Sequence, residues 1–258
     1  MQDPLVFLAR AAIDFGGTVT QESVGDVSMV LPIEYVDGQV DTYRLWLTAT
    51  GTKVSAREIT PQHLPAFCPE RHINPDGSFC LSYAPADLLG VVDAESATAW
   101  MQTLWQFLVL QRRAKRLRRW PSNNVWAHGR AALHQMAAEN AAMQLGPKLV
   151  SALQRNTLEV VPRKSVGRGV LDVYVDRRHV FSVWSGRDKF VNANRRCFCG
   201  ARGLKRPLKV RSCSDHGQQA VLLARALHAW KQEEQQFWRE MKGRPCCGKC
   251  DACPLSTT

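Results

Sequence analysis

Apolar side chains recur along residues 97–111 at the spacing of a helix. Ala97, Trp100, Met101, Leu104, Phe107 and Leu108 share one face, and Gln111 continues the stripe as its one polar member. Asp93 stands where an N-cap is needed. The tail of this helix, Arg112 to Trp120, carries six cations in nine residues. Such a run is either a solvated helix end that complements the helix dipole or a functional patch. Ahead of it, Leu5–Ile13 predicts a short helix closed by Gly16-Gly17. Ser28 to Tyr35 and Thr42 to Thr48 are apolar, β-branched and aromatic, with Asp37-Gly38 between them, which is a strand–turn–strand pattern. A third strand over Val54–Ile59 runs into a segment punctuated by Pro61, Pro65 and Pro69.

Downstream, Gly129 to Leu145 offers a second helix, and Gly146-Pro147 reads as a boundary. Thr157–Val161, Val170–Val175 and His179–Trp184 have the composition of short strands, with a hairpin turn at Asp176-Arg177-Arg178. Gln218 to Met241 predicts one long helix. The expected fold class is α+β: an antiparallel β-meander flanked by helices over residues 1–146, then a second α+β domain over 147–258.

Charge sharpens this division. Residues 1–110 hold 5 Lys and Arg against 13 Asp and Glu, whereas residues 146–258 hold 22 against 9, within a chain whose net charge is +11. An acidic front and a basic back suggest units with different partners. At 258 residues and 45% hydrophobic content the chain can bury real cores. No stretch approaches the roughly 18 apolar residues that cross a bilayer. The start, Met1-Gln2-Asp3-Pro4-Leu5, lacks the basic region of a secretory signal, so a cytoplasmic protein without membrane contact is expected.

Cysteine is equally uneven. Cys68 and Cys80 lie in the first half, and the other seven crowd into 197–253. In a reducing compartment that crowding favours metal over disulfides. One group is Cys197, Cys199, Cys213 and His216; the other is Cys246, Cys247, Cys250 and Cys253. Zinc takes four such ligands in a tetrahedron, and paired ligands two to four residues apart each supply half a site. The glycines of Cys199-Gly200 and Cys247-Gly248 suit turns around a metal. Two structural Zn2+ ions are expected, one per group or interleaved, with Cys246 either a ligand or a spectator beside Cys247. An iron–sulfur cluster uses similar spacings and is the minority alternative. A redox Cys-x-x-Cys lacks its thioredoxin-like context.

Between the strands and the amphipathic helix lies Arg71-His72-Ile73-Asn74-Pro75-Asp76-Gly77-Ser78-Phe79-Cys80-Leu81. Pro75-Asp76-Gly77-Ser78 is turn chemistry, and a cysteine placed straight after it is held at a surface as a candidate nucleophile. The stretch resembles the active-site loop of the ubiquitin-conjugating enzymes. There a His-Pro-Asn triplet precedes an Ile, a Gly-containing turn and Ile-Cys-Leu, the Cys being the thioester carrier. Ile73, Asn74, Gly77, Ser78, Cys80 and Leu81 fit that pattern without a gap. Counting back from Cys80, the family's Asn falls on His72 and its His-Pro on Glu70-Arg71. The divergence is similar to that of bacterial relatives in antiphage conjugation operons.

The resemblance implies Cys80 as carrier and an oxyanion donor supplied by His72 or Asn74, although Asn74 fits a turn former equally well and His72 a loop residue. It implies as partners a ubiquitin-like modifier, an activating enzyme and a protein substrate. Two other classes compete. A zinc-containing nucleic-acid binder would use the basic half, the 112–119 run and Trp120 and Trp126, but no reading helix or finger spacing accompanies them. A cysteine hydrolase using Cys80 and His72 lacks an evident third, orienting residue.

Overall fold

The computed structural model describes residues 3–23, 25–82, 89–121, 126–165, 168–199, 208–251 and 253–257. The chain divides into two compact units, Met1–Ser122 with Met241–Thr258, and Asn123–Glu240. No described helix is long and apolar enough to cross a membrane.

In the first unit, α1 (Pro4–Asp14) starts on Asp3, whose carboxylate accepts from the Leu5 N–H at 2.9 Å, with proline in the first turn where no N–H is needed. A four-stranded antiparallel meander follows in the order β1 (Thr18–Ser23), β2 (Asp26–Glu34), β3 (Val40–Thr50), β4 (Lys53–Glu58). The strand β1 escaped the sequence pattern because Thr18 to Ser23 is mostly polar, with Val19 its one apolar residue. On β2, Val27, Met29, Leu31 and Ile33 alternate inward, as do Tyr43, Leu45 and Leu47 on β3. The helix α2 (Ala94–Leu117) lays its predicted stripe on that face, and its start is a capping box between Asp93 and Ser96. Two cations of its basic tail have intramolecular partners. Arg112 reaches the Asp37 carboxylate at 2.9 Å and lies over the Tyr35 ring, and Arg118 pairs with Asp251.

In the second unit, α3 (Ala131–Leu145) and α4 (Pro147–Gln154) lead into an antiparallel sheet β5 (Leu158–Ser165), β6 (Arg168–Val175), β7 (Arg178–Trp184), and α5 (His216–Met241) closes the core. The β6–β7 hairpin turns on Asp176 and Arg177, at φ 48° and 63°. Gly146-Pro147, which reads as a boundary in sequence, lies within this unit as the junction of α3 and α4. Its glycine adopts φ 111°, and a Cβ there would stand 2.9 Å from the Cys199 carbonyl oxygen. Pro147 opens α4, where proline is at home. The dipeptide therefore serves a helix–helix corner pressed against the Cys199 backbone.

The polar intruder in the α2 stripe has a partner. Gln111, fully buried, accepts from Arg71 Nε at 2.8 Å, and its own amide donates to the Arg71 carbonyl at 2.6 Å. Arg71 also donates to the Gln111 carbonyl at 3.0 Å, and only 1% of this arginine is exposed. Cutting this reciprocal clamp leaves a buried cation short of acceptors, a loss of about 2–3 kcal/mol. Gln111→Ala is therefore expected to lower the denaturant midpoint of the first unit and to speed amide exchange in residues 71–80. A midpoint and exchange pattern equal to wild type would show that the clamp carries no such weight.

Candidate active site and metal centre

The stretch around Cys80 folds as a small braced loop. A single 3₁₀ turn over Pro69–Arg71 ends at His72, which adopts the left-handed conformation, φ 55° and ψ 41°. Among non-glycine residues this region favours Asn, Asp and His, which explains why a histidine tolerates the position. Cys68 and Ile73 exchange backbone hydrogen bonds of 3.1 and 3.0 Å around that turn. The Cys80 N–H then donates to the His72 carbonyl at 2.9 Å, and the Phe79 N–H donates to Ala56 of β4 at 2.8 Å. Backbone pairing thus ties Cys80 both to His72 and to the sheet.

The His72 ring is 9% exposed and packs edge-on against Trp120, with centroids 4.9 Å apart. The Trp120 Nε1 is buried with no hydrogen-bond partner among the described residues. Asn74 is exposed. Its amide donates to Ser78 Oγ at 3.0 Å, while Ser78 donates from N and Oγ to the Asp76 carboxylate at 2.9 and 2.6 Å. Those bonds from Ser78 hold the Asp76 carboxyl below its ordinary range. Gly77, at φ 80°, completes the turn by donating to the Asn74 carbonyl. Cys80 itself is half-buried, and desolvation pushes its thiol up.

In the second unit, the ligand atoms of Cys197, Cys199, Cys213 and His216 all lie within 4.8 Å of one another. Cys199 Sγ is 3.8 Å from Cys213 Sγ, and His216 Nδ1 is 3.2 Å from Cys213 Sγ and 3.5 Å from Cys197 Sγ. A tetrahedral zinc with bonds near 2.3 Å spaces its sulfur ligands by about 3.8 Å, so the set fits such a cation. Burial first, then hydrogen bonds with Cys197 and Cys199, push the Cys213 thiol up to about 12. The cluster sits on the core through Phe198, stacked on Phe181 at 4.8 Å. Gly200 lies outside the described residues.

The C-terminal group belongs to the first unit and meets a cysteine that the sequence pattern left aside. Cys68 Sγ lies 3.1 Å from Cys247 Sγ and 3.9 Å from Cys250 Sγ. Cys68, Cys250 and Cys253 are 1%, 4% and 2% exposed, whereas Cys246 and Cys247 are half-exposed. Cys246 Sγ accepts from the Gly248 N–H at 3.4 Å, and Gly248 adopts φ 66°. The Cys250 thiol is drawn down, first by its hydrogen bond with Cys68 and then by the charges of Arg71 and Arg118. The one sequence signal for Cys68 was its isolation, between Pro65 and Pro69, from every other cysteine but Cys80.

Two family models match the chain. One, described as a prokaryotic E2 domain, covers residues 15–122; the other, a cysteine-rich domain C-terminal to the E2 domain, covers residues 127–255. No curated protein and no solved structure matches the chain.

Desolvation of Cys80 has a direct kinetic consequence. Its thiolate fraction should rise at higher pH than that of an ordinary thiol. Iodoacetamide labelling of Cys80, followed by peptide mass, is expected to reach its plateau at higher pH than labelling of a free cysteine. A plateau below pH 8.5 would contradict the desolvated thiol.

Proposed function

The chain belongs to the prokaryotic E2 family that carries a C-terminal cysteine-rich domain, and we propose that it holds a ubiquitin-like modifier as a thioester on Cys80. An E2-type conjugating enzyme of this kind works with an activating enzyme and a modifier in general. The observation that carries the assignment is the braced loop, which ties the Cys80 backbone to His72 and to β4 inside the E2-matched segment. In the first step the Cys80 thiolate attacks the thioester carbonyl carried by the activating enzyme. The tetrahedral intermediate collapses, expelling the activating enzyme's thiolate. An amine of the protein substrate, commonly lysine, then attacks the Cys80 thioester, loses a proton and releases the Cys80 thiolate.

Both attacks place negative charge on a carbonyl oxygen, which a preformed donor stabilises. The Cys80 amide does not serve, because it donates to His72. Asn74 has an amide engaged with Ser78, which suits it to shaping the turn, so His72 takes the donor role in this reading. The left-handed backbone at His72 also suits asparagine, the residue the family uses there. Zinc at Cys197, Cys199, Cys213 and His216, and a second ion at the C-terminal cysteine group, are structural in this scheme. Antiphage conjugation is the setting the resemblance suggests.

The test mixes protein, its activating enzyme, modifier and ATP, and compares gels with and without reductant. Wild type is expected to show a reductant-sensitive adduct, Cys80→Ala none, and Cys80→Ser a slower-hydrolysing oxyester. His72→Ala should still charge but discharge onto an amine about 10²-fold more slowly, and His72→Asn should recover part of that loss. A persistent adduct on Cys80→Ala removes the carrier assignment; normal discharge by His72→Ala removes the donor assignment alone.

A further inference from the structure

The C-terminal segment brings three cysteines to the base of the loop that presents Cys80. Cys68 Sγ is the sulfur common to the two short contacts, 3.1 Å to Cys247 and 3.9 Å to Cys250, across 179 and 182 residues of chain. Cys253, as deeply buried, interacts through its thiol with Cys246. We propose that Cys68 joins Cys247 and Cys250 in a second metal centre whose fourth ligand comes from the Cys246–Cys253 pair, and that a thiophilic divalent cation such as Zn2+ bound there braces the Cys80 loop. The proposal rests on the zinc reading of the C-terminal group given above. It differs in ligand set and in consequence, since one ligand comes from the segment that leads into the Cys80 loop.

Chemistry and packing both favour the site. Four thiols bind as thiolates, each releasing a proton, so the centre would carry a net charge of about −2. Positive charge is already at hand. Arg71, buried, stands three residues after Cys68 in chain, and Arg118 pairs with Asp251 and donates to the Gly248 carbonyl at 3.3 Å. The Asp251 N–H returns a bond to the Arg118 carbonyl at 2.9 Å, so the end of α2 grips the segment at Gly248 and Asp251, on either side of Cys250. On the other side, Cys68 exchanges backbone bonds with Ile73, and His72 between them accepts the bond from Cys80. A cation on Cys68 therefore lies two backbone links from the carrier cysteine. Cys246 Sγ, half-exposed, accepts from the Gly248 N–H and stands against the Cys253 thiol, so this pair adjoins the centre.

The test uses the full chain with no modifier or activating enzyme, so its outcome stands apart from the thioester reading. Metal analysis is expected to find about two ions per chain in wild type, and about one in Cys68→Ser and in Cys247→Ser. Combining Cys68→Ser with Cys199→Ser should leave none. Two ions retained in Cys68→Ser would overturn the site. Since Cys68→Ser can weaken the fold by itself, wild-type protein provides a second measurement. Stepwise chelation followed by iodoacetamide should expose Cys68, Cys247 and Cys250 together, on a course separate from Cys197, Cys199 and Cys213. Cys68 reactivity that does not track Cys247 and Cys250 would overturn the proposal. Stripping that ion should also speed amide exchange at Ile73 and Cys80 by about tenfold or more. Unchanged exchange there would refute the brace.

Discussion

A buried guanidinium sets the terms for the first unit of this protein. Arg71 is 1% exposed, at the foot of a loop with little apolar content of its own, and charge in such a place is tolerated only when its donors are satisfied. Gln111 meets that demand with side chain and main chain together, and in return its amide takes the Arg71 carbonyl. The pair welds the loop to the central helix at one point. From there backbone bonds carry position to Ile73, His72 and Cys80. In the ubiquitin-conjugating pattern a proline stands where this chain has Arg71. Where that pattern rigidifies the loop by a ring, this chain does so by hydrogen bonding, which requires Gln111 within an apolar stripe.

That stripe also shows what the sequence made legible and why. The helix α2 announced itself through period, cap and length, and its anomaly at Gln111 was visible as the one polar member of the face. Its partner was not visible, because a hydrogen bond across 40 residues leaves no local trace. The same holds more strongly for Cys68 and Cys250, 182 residues apart. Spacing rules found the local group Cys197, Cys199, Cys213 and His216, which the fold assembles from ligands at most 19 residues apart. They had no means of finding a cysteine delivered from another element. β1 escaped for a different reason, since pairing with β2 on one edge supports a strand whose own residues are mostly polar. At Gly146-Pro147, read in sequence as a boundary, glycine ends α3 and proline opens α4 at one corner.

His72 joins these themes. Its backbone is left-handed and its imidazole is packed edge-on against Trp120, so the residue is held from both ends. A side chain fixed this way has little rotamer freedom left to lose, which is what a preorganised hydrogen-bond donor requires. The same packing constrains what can replace it. Alanine fits the volume but bears the left-handed strain, whereas asparagine tolerates the backbone and keeps a donor.

Nine cysteines in one chain pose a problem of selectivity, since thiolates exchange with disulfides and thioesters alike. The structure separates them by environment. Cys80 stands apart on the loop, and its burial raises the thiol, so in the resting protein it is mostly protonated and weakly reactive. The remaining thiols lie in clusters where neighbours stand 3.1 to 3.9 Å apart, close enough for oxidation to join them or for a cation to claim them. Metal ligation favours the second outcome, because a coordinated thiolate is no longer free to attack. Cations bound in both clusters would therefore withdraw most of the other thiols from reaction and leave Cys80 outside them. Its desolvation acts as a second restraint, because attack by Cys80 becomes competitive only where an electrophile's oxyanion is stabilised more than the isolated thiolate.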